Sequence, residues 1–287
     1  MMLNGGNRVD KQMNYGADYK YIPATSVSSG KGIEVLPDLF NYTIQIVNIQ
    51  LVGYESEFVL VDAGMTGSAN EIIAAVEDRF GANRIPKAII LTHGHFDHVG
   101  AIIELIKHWK VPVYAHELEM PYLLGQKSYP EPDSTVEGGM IAKLSPFFPN
   151  EPIDLGDNVK PLPSDGAIPH MKGLKWIHTP GHTPGHVSLF RASDRALIAG
   201  DAFVTVKQEY LYKVLTQEQE ISGPPAYFTP DWESAKLSVI KLASLRPTVA
   251  VTGHGLPMSG GLLTESLEGL AKNFDEVAKP KHGKYVN

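Results

Sequence analysis

The chain has 287 residues, 43% of them hydrophobic and 20% charged. This length allows two small domains or one large α/β domain, and the balanced composition excludes disordered, collagen-like and disulfide-scaffold proteins. The 25 lysines and arginines stand against 32 aspartates and glutamates, a formal net charge of −7 without a basic run. Because nucleic-acid backbones are bound by clustered cations, no nucleic-acid partner is expected and a small-molecule substrate is favoured.

The sequence contains no cysteine, so any metal ion must be held by histidine and carboxylate side chains. It shows neither an apolar export signal nor an apolar run of about 18 residues, so a cytoplasmic protein without a membrane partner is expected. A homodimer is compatible with this composition. We expect a single domain over residues 1–287, whose polar first 20 residues form a flexible or peripheral segment.

The first half alternates predicted strands and helices. The segment Tyr42–Val52 is β-rich with apolar residues on both faces, which predicts one buried strand, and Phe58–Asp62 predicts a second. The spacing Ser68-Ala-Asn-Glu71 is that of a capping box and predicts the start of a helix that closes at Gly81. Further strands are predicted at Lys87–Leu91 and Val111–Tyr114.

The second half repeats this rhythm. Thr229 and Pro230 predict the capped start of a helix that Pro247 ends, and a last helix is predicted over Leu262–Val277. Predicted strands cover Leu174–Ile177, Val187–Phe190, Ala196–Ala199 and Thr248–Val251. The pattern indicates two similar β-rich halves with helices outside.

Four of the predicted strands run into histidine or aspartate. Ligands in α/β proteins bind where strand ends open into loops, so these ends are expected to converge on one cleft. The candidate metal ligands are His93, His95, Asp97, His98, His182, Asp201 and His254. Seven such side chains suit two metal ions, and the donor set favours Zn²⁺ with Mn²⁺ or Fe²⁺ as competitors.

The other histidines are predicted to lie outside the ligand set. His178 belongs to a predicted strand, and His186 is expected to orient a ligand loop from behind. The remaining ones are His108, His116, His170 and His282.

These blocks together resemble the metallo-β-lactamase superfamily. The resemblance rests on Phe58-Val-Leu-Val-Asp62-Ala-Gly, Thr92-His93-Gly-His95-Phe-Asp97-His98, Gly181-His182-Thr-Pro-Gly-His186, Gly200-Asp201 and Gly253-His254-Gly. It implies a four-layer αββα sandwich of two mixed β-sheets with outer helices, and a dinuclear site at one edge of the sheets.

The resemblance also implies roles for single residues. His93, His95 and His182 would hold the first metal ion, Asp97, His98 and His254 the second, and Asp201 would bridge both. A bridging hydroxide would attack a carbonyl carbon or a phosphorus, with Asp97 also handling the proton as the catalytic residue. Asp62 matches a family position that supports the site from behind.

Differences between this sequence and the patterns of known subfamilies narrow the range of expected reactions. Flavodiiron members carry Glu where this chain has His95, so oxygen or nitric oxide reduction is disfavoured. Homoserine-lactone lactonases often carry Tyr where this chain has Val204, and glyoxalase II-like enzymes have a longer C-terminal region. The basic residues Lys279, Lys281 and Lys284 are more typical of a solvated tail than of a glutathione site.

Two long irregular stretches, residues 125–150 and 204–228, are candidate pocket-lining loops, and the first is a candidate lid. The second stretch carries the predicted pocket residues Tyr210, Tyr212, Tyr227 and Phe228. Tyr122, Tyr129, Phe147 and Phe148 are further candidates, and the alternative is that all these aromatic residues only pack the loops down.

The sequence thus predicts a metal-dependent hydrolase of a small ester, thioester or lactone in the glyoxalase II or lactonase-like branch. The alternatives are a phosphodiesterase or nuclease of the same superfamily, and a non-catalytic metal-binding protein. Intact candidate ligands argue against the last of these.

Overall fold

The computed structural model describes residues 12–137 and 139–286. Within these residues, one sheet has seven strands in chain order. Its first four strands pair antiparallel, and the last four, which share the fourth strand with them, pair parallel. The strands are β1 (Lys31–Leu36), β2 (Leu39–Ile44), β3 (Val47–Tyr54), β4 (Glu57–Val61), β5 (Ile89–Ile90), β6 (Val113–Ala115) and β7 (Val159–Pro161).

The other sheet in this described part has six strands in the order β13-β12-β11-β10-β9-β8. Only β11 and β12 pair parallel there, whereas the other neighbours pair antiparallel. These strands are β8 (Ala167–Ile168), β9 (Met171–His178), β10 (Val187–Arg191), β11 (Ala196–Ile198), β12 (Val249–Val251) and β13 (Met258–Ser259).

Helices connect the strands. They are α1 (Ala69–Phe80), α2 (Phe96–Val99), α3 (Ile102–Trp109), α4 (Met120–Leu123), α5 (Met140–Leu144), α6 (Leu211–Thr216), α7 (Trp232–Ser244), α8 (Gly260–Lys272) and α9 (Phe274–Val277). None of the helices among the described residues has the length and apolar character needed to cross a bilayer.

Alternating side chains divide the core into layers. Along β4, Val59 and Val61 belong to the cluster that also contains Ile198 and Val251 of the second sheet, so these side chains fill the space between the sheets. Their neighbour Leu60 belongs to the cluster that includes the helix residues. The two sheets therefore pack face to face with helices outside, which confirms the predicted αββα sandwich.

One predicted strand is wrong. Tyr42–Val52 is not continuous, because β2 and β3 form a hairpin in which Ile44 pairs with Val47. The turn residue Gln45 has a φ of +56°, a conformation that usually calls for glycine. Contacts with the preceding segment stabilise this turn, since the Gln45 side chain donates to the Ile22 carbonyl and its carbonyl accepts from Ser26.

Two helix starts also differ from the prediction. Ser68 precedes α1 without capping it by its side chain, because its hydroxyl donates to the Met65 carbonyl instead. The helix predicted from Pro230 begins at Trp232, and its N-cap is Asp231, whose carboxylate accepts from the Ser234 backbone. Thr229 donates its hydroxyl back to the Pro225 carbonyl.

The structure also differs from the prediction at both ends of the chain. The predicted last helix is two helices, α8 and α9, interrupted at Asn273. In the N-terminal segment, Asn14 forms a β-bridge with Asp154, and Tyr15 donates its hydroxyl to Glu104 at 2.6 Å. Residues 1–11, the rest of the segment expected to be flexible or peripheral, lie outside the described residues.

Candidate metal centre

The candidate ligands lie where strands of both sheets end. His93 follows β5, and α2 begins directly after His95 and contains Asp97 and His98. The second sheet brings the rest: His182 follows β9, Asp201 follows β11 and His254 follows β12. All seven side chains are buried, so the expected convergence of the four strand ends occurs at one edge of the sandwich.

The ligand atoms form three overlapping sets, each with its atoms within 4.8 Å of one another. The sets are His93, His95 and His182; Asp97, His98 and His254; and His93, His98 and Asp201. Asp201 lies between the first two sets, because its Oδ2 is 3.5 Å from His182 Nε2 and 3.3 Å from His254 Nε2. Asp201 thus lies within reach of ligand atoms from both sets, and its bridging role stays a prediction.

Unpartnered atoms test whether the site fits metal ions. His93 Nε2, His98 Nε2 and Asp201 Oδ1 are fully buried without a hydrogen-bond partner among the described residues. Buried polar atoms are rarely left in this way, because each one costs free energy comparable to a lost hydrogen bond. Imidazole nitrogens and carboxylate oxygens aimed at one another are donors that divalent ions use, so the residues present fit a metal centre.

The outward-facing ring nitrogens of the candidate ligands are held by other groups. His98 Nδ1 lies 2.8 Å from Asp62 Oδ2, and His254 Nδ1 lies 2.9 Å from the Ile46 carbonyl. Asp62 also accepts hydrogen bonds from the backbone and hydroxyl of Thr92, the residue before His93. Such contacts fix the ring orientation and leave Nε2 available to a metal ion.

His186 lies behind the candidate ligands and contacts the backbone of one of them. Its Nε2 accepts from the Asp201 backbone at 2.9 Å, and its Nδ1 lies 2.9 Å from the Thr179 hydroxyl. The other histidines lie outside the three ligand sets. His178 lies in β9 and stacks on His116, whereas His170 and His282 face Glu57 and Glu137.

The histidines of the cluster fall into two groups, one with lowered and one with raised pKa values. Burial lowers the pKa of His95 to about 4, and burial together with the neighbouring imidazoles also keeps the pKa values of His93 and His182 well below the ordinary value. These rings are neutral at pH 7, which is the form that binds metal.

The second kind of histidine lies beside carboxylates. Burial opposes the charged form of His254, but Asp201 and Asp97 outweigh it and raise the pKa of His254 to about 10. Asp201, Asp62 and Asp97 raise the pKa of His98 in the same way, against its burial. The pKa of Asp201 is held well below its usual range, against burial, by His254 and His98. This half of the site therefore attracts positive charge.

Close backbone approach requires glycine at two positions in the site. A Cβ on Gly253 would lie 2.0 Å from Asp201 Oδ1, and one on Gly94 would lie 2.6 Å from the Tyr129 hydroxyl. Neither contact is possible for a larger residue without moving a ligand or its support.

Glu119 is a functional residue that the sequence analysis missed. Its side chain is completely buried and accepts hydrogen bonds from Gly94 N at 3.1 Å, Thr183 Oγ1 at 2.8 Å and Gly185 N at 2.7 Å. The Tyr129 hydroxyl donates to it as well. Burial raises the pKa of this carboxyl, and the four donors oppose that effect. Glu119 thus joins the loop of His93 and His95 to the loop of His182.

A cavity of about 110 Å³ lies against Asp97 and His254. It is called the apolar cavity below, because every other lining residue is aliphatic or aromatic. Both predicted loops line it. The first provides Ile141, Leu144 and Phe148, the second provides Leu211, Val214, Leu215, Tyr227 and Phe228, and the rest are Ile22, Ala24, Ile46, Met65 and Phe96.

The other predicted pocket residues do not line the apolar cavity. Tyr212 is 73% exposed and Phe147 is 71% exposed, and Tyr210 lines a separate polar groove with Lys207 and Glu276. Tyr210 and Tyr212 differ from Tyr227 and Phe228 because they lie at the N-cap and in the first turn of α6, and neither side chain lines the cavity. Tyr122 stacks on Tyr129, and Tyr129 packs on His95.

Comparison with known proteins gives consistent results. The model of the metallo-beta-lactamase superfamily matches residues 42–254. A probable metallo-hydrolase of Bacillus subtilis, YflN, is 50% identical over 260 residues, covering 90% of this chain and 98% of that protein. A hydroxyacylglutathione hydrolase of Haemophilus influenzae, GloC, is 27% identical over 149 residues, covering 51% of this chain and 61% of that protein.

Solved structures share the fold. The structure of TTHA1623 in a di-iron-bound form is 27% identical, with a TM-score of 0.51, and the match covers 82% of this chain and 98% of that one.

Proposed function

Because the chain belongs to the metallo-beta-lactamase superfamily, we propose that it is a dinuclear metal-dependent hydrolase of a small ester, thioester or lactone. The observation that carries the proposal is the position of Asp201. Its Oδ2 lies within 3.6 Å of His182 Nε2, which belongs to one set of candidate ligands, and of His98 Nε2 and His254 Nε2, which belong to another. A carboxylate between two sets of three ligands is the arrangement that a pair of ions needs.

Two Zn²⁺ ions are proposed as the cofactor, with Mn²⁺ or Fe²⁺ as alternatives. His93, His95 and His182 would hold one ion, Asp97, His98 and His254 the other, and Asp201 both. The di-iron form of TTHA1623 supports a two-ion site in this fold. When bound, such ions supply a water of lowered pKa and a Lewis acid for a carbonyl oxygen.

The chain's own residues supply the remaining functions. Asp97 lines the apolar cavity and lies 3.3 Å from His254, so its carboxylate is placed to take a proton and to return it to a leaving group. Tyr227 and Phe228 cover the cavity side of the site and limit the access of bulk water. Asp62 and the Ile46 carbonyl keep His98 and His254 in orientation.

Two observations favour carbonyl substrates over phosphodiesters. No lysine or arginine is among the described residues that line the apolar cavity, although phosphodiester substrates are usually bound by cations. The hydroxyacylglutathione hydrolase among the relatives supports a thioester as one substrate class.

The test is a hydrolysis screen of protein loaded with zinc, manganese or iron. The substrates are aryl esters, thioesters, lactones and a phosphodiester, and the variant is Asp97→Asn, which removes a charge and keeps the shape. We expect turnover of one carbonyl class, reduced at least about 100-fold in the variant, with metal content measured in parallel.

Asp78→Asn on the exposed face of α1 is the matched control and should leave turnover unchanged. Cleavage of the phosphodiester alone would replace the proposed reaction with phosphoryl transfer. No turnover with any metal would support a non-catalytic metal-binding protein.

A further inference from the structure

The apolar cavity restricts what a substrate can present next to the metal centre. Apart from Asp97 and His254 its lining is aliphatic and aromatic, and no lysine or arginine lies among the described residues that line it. A carboxylate or ammonium group placed among the aliphatic and aromatic side chains, away from Asp97 and His254, would lose its hydration without gaining a charged partner, which is strongly unfavourable. The part of the substrate that enters must therefore be uncharged and apolar.

The volume of the cavity limits the size of that part. A dry apolar cavity of about 150 Å³ in another protein holds benzene, which has six carbon atoms. By this comparison, the 110 Å³ of the present cavity accommodates about four or five carbon atoms. The reacting carbonyl carbon is not included in this number, because it would lie outside the apolar part of the cavity, beside Asp97 and His254.

The leaving group and the acyl chain of an ester require different surroundings. The leaving oxygen or sulfur takes up a proton and departs as a polar group, for which the cavity offers no partner beyond Asp97, His254 and the Tyr227 hydroxyl. An acyl chain carries no polar atom beyond its carbonyl, so its burial in this lining is favourable.

Building on the proposed hydrolase function, we propose that the apolar cavity binds the acyl chain of the substrate, and that this chain is uncharged and five or six carbons long including the carbonyl carbon. The leaving group faces solvent and contributes little to selectivity. Ala24 and Leu211 line the cavity from the N-terminal segment and from α6, so a change of size at either residue changes the volume open to the chain.

Two variants change the cavity in opposite directions. Ala24→Leu adds three carbon atoms to the lining, and Leu211→Ala removes three. Each has a matched control next to it in the chain: Thr25→Leu at an exposed residue, and Tyr212→Ala at a residue 73% exposed on the same helix.

The first measurement is kcat/KM of the zinc-loaded protein for esters with one aryl leaving group and acyl chains of two to ten carbons. Each buried methylene is expected to raise kcat/KM about four-fold, which gives roughly 250-fold from acetyl to hexanoyl. The value should then fall for the decanoyl ester. Ala24→Leu should lower the ratio of hexanoyl to acetyl kcat/KM by roughly 60-fold, and Leu211→Ala should move the optimum to longer chains.

The second measurement does not depend on turnover. The straight-chain carboxylates from acetate to decanoate are compared for the shift in melting temperature that they cause in the zinc-loaded protein, and pentanoate or hexanoate should give the largest shift. If no ester is hydrolysed, the proposed function fails while this ranking still tests the cavity. A flat ranking, or equal loss of all chain lengths in Ala24→Leu, would overturn the acyl-chain proposal.

Discussion

At the scale of single residues, Glu119 shows how one buried carboxylate can organise a metal centre. It receives hydrogen bonds from both loops that carry His95 and His182, and all of its partners are donors. Two of them, Gly94 N and Gly185 N, are backbone groups that cannot reverse their polarity. A carboxylate is therefore the side chain of this length that satisfies all of these donors.

We expect Glu119→Gln to destabilise the protein and to weaken metal binding. Its amide nitrogen would face a backbone N–H, so the variant leaves at least one buried donor unpaired, at a cost of about 1–3 kcal/mol in the free energy of unfolding. The measurements are urea unfolding and zinc content after dialysis against a zinc buffer. Glu117→Gln, at an exposed position two residues away, is the control and should match the parent protein. Unchanged zinc affinity in Glu119→Gln would contradict a role in joining the two loops.

The sequence could predict the cluster of candidate ligands but not Glu119, for a physical reason. His93, His95, Asp97 and His98 stand within six residues after a strand, and that spacing carries chemical information by itself. Glu119 has no such signal, because it differs from the exposed Glu117 only in its tertiary surroundings. Its donors lie 10 to 66 residues away in the chain.

At the scale of elements, the hairpin of β2 and β3 connects the first sheet to a ligand of the second. The Ile46 carbonyl in its turn faces His254 Nδ1, and Asn48 donates to the carbonyls of Thr252 and Gly255, on either side of His254. The turn was not predicted because its positive φ is adopted by Gln45, which is held by the segment before β1. No glycine or asparagine marks the turn in the sequence.

Asn48→Ala is expected to loosen the His254 loop. The variant leaves two buried carbonyls without their donor, so we expect a loss of about 1–3 kcal/mol in the free energy of unfolding and faster release of bound metal. Metal release to a chromogenic chelator measures the second effect. Asn41→Ala is the matched control, since Asn41 is equally buried at 1% exposure and accepts from Gln50. Equal metal release from both variants would refute the link to His254.

At the scale of the whole molecule, the two sheets are joined at opposite edges by different means. At one edge Arg191 of β10 pairs with Asp38 between β1 and β2. At the other edge the ligands meet, four from the first sheet and three from the second. Two β-rich halves with helices outside were predictable because strand and helix periodicities are local patterns, and the resemblance to the metallo-β-lactamase superfamily implied the four-layer sandwich. The contacts of Tyr15 and Asn14 were not, because they depend on distant chain segments.

Because the ligands come from both sheets, bound metal should act as a cross-link between them, and its removal should destabilise the whole sandwich. Ligand bound only by the folded state at 100 to 1,000 times its Kd adds about 3–4 kcal/mol. We therefore expect dialysis against a chelator to lower the melting temperature by roughly 5–15 °C, and zinc to restore it. Calorimetry with metal analysis measures this.

Two variants determine whether that stabilisation depends on the bridging position. Asp201→Asn removes the charge shared by both ligand sets, so chelation should lower its melting temperature by much less than in the parent. Arg191→Met weakens the opposite edge and should keep the full chelator effect, because distant sites contribute additively. A protein that loses its metal without any change in melting temperature would show that the ligand loops open independently of the sheets. In that case the metal centre would be a local feature of the edge and would not hold the two halves of the fold together.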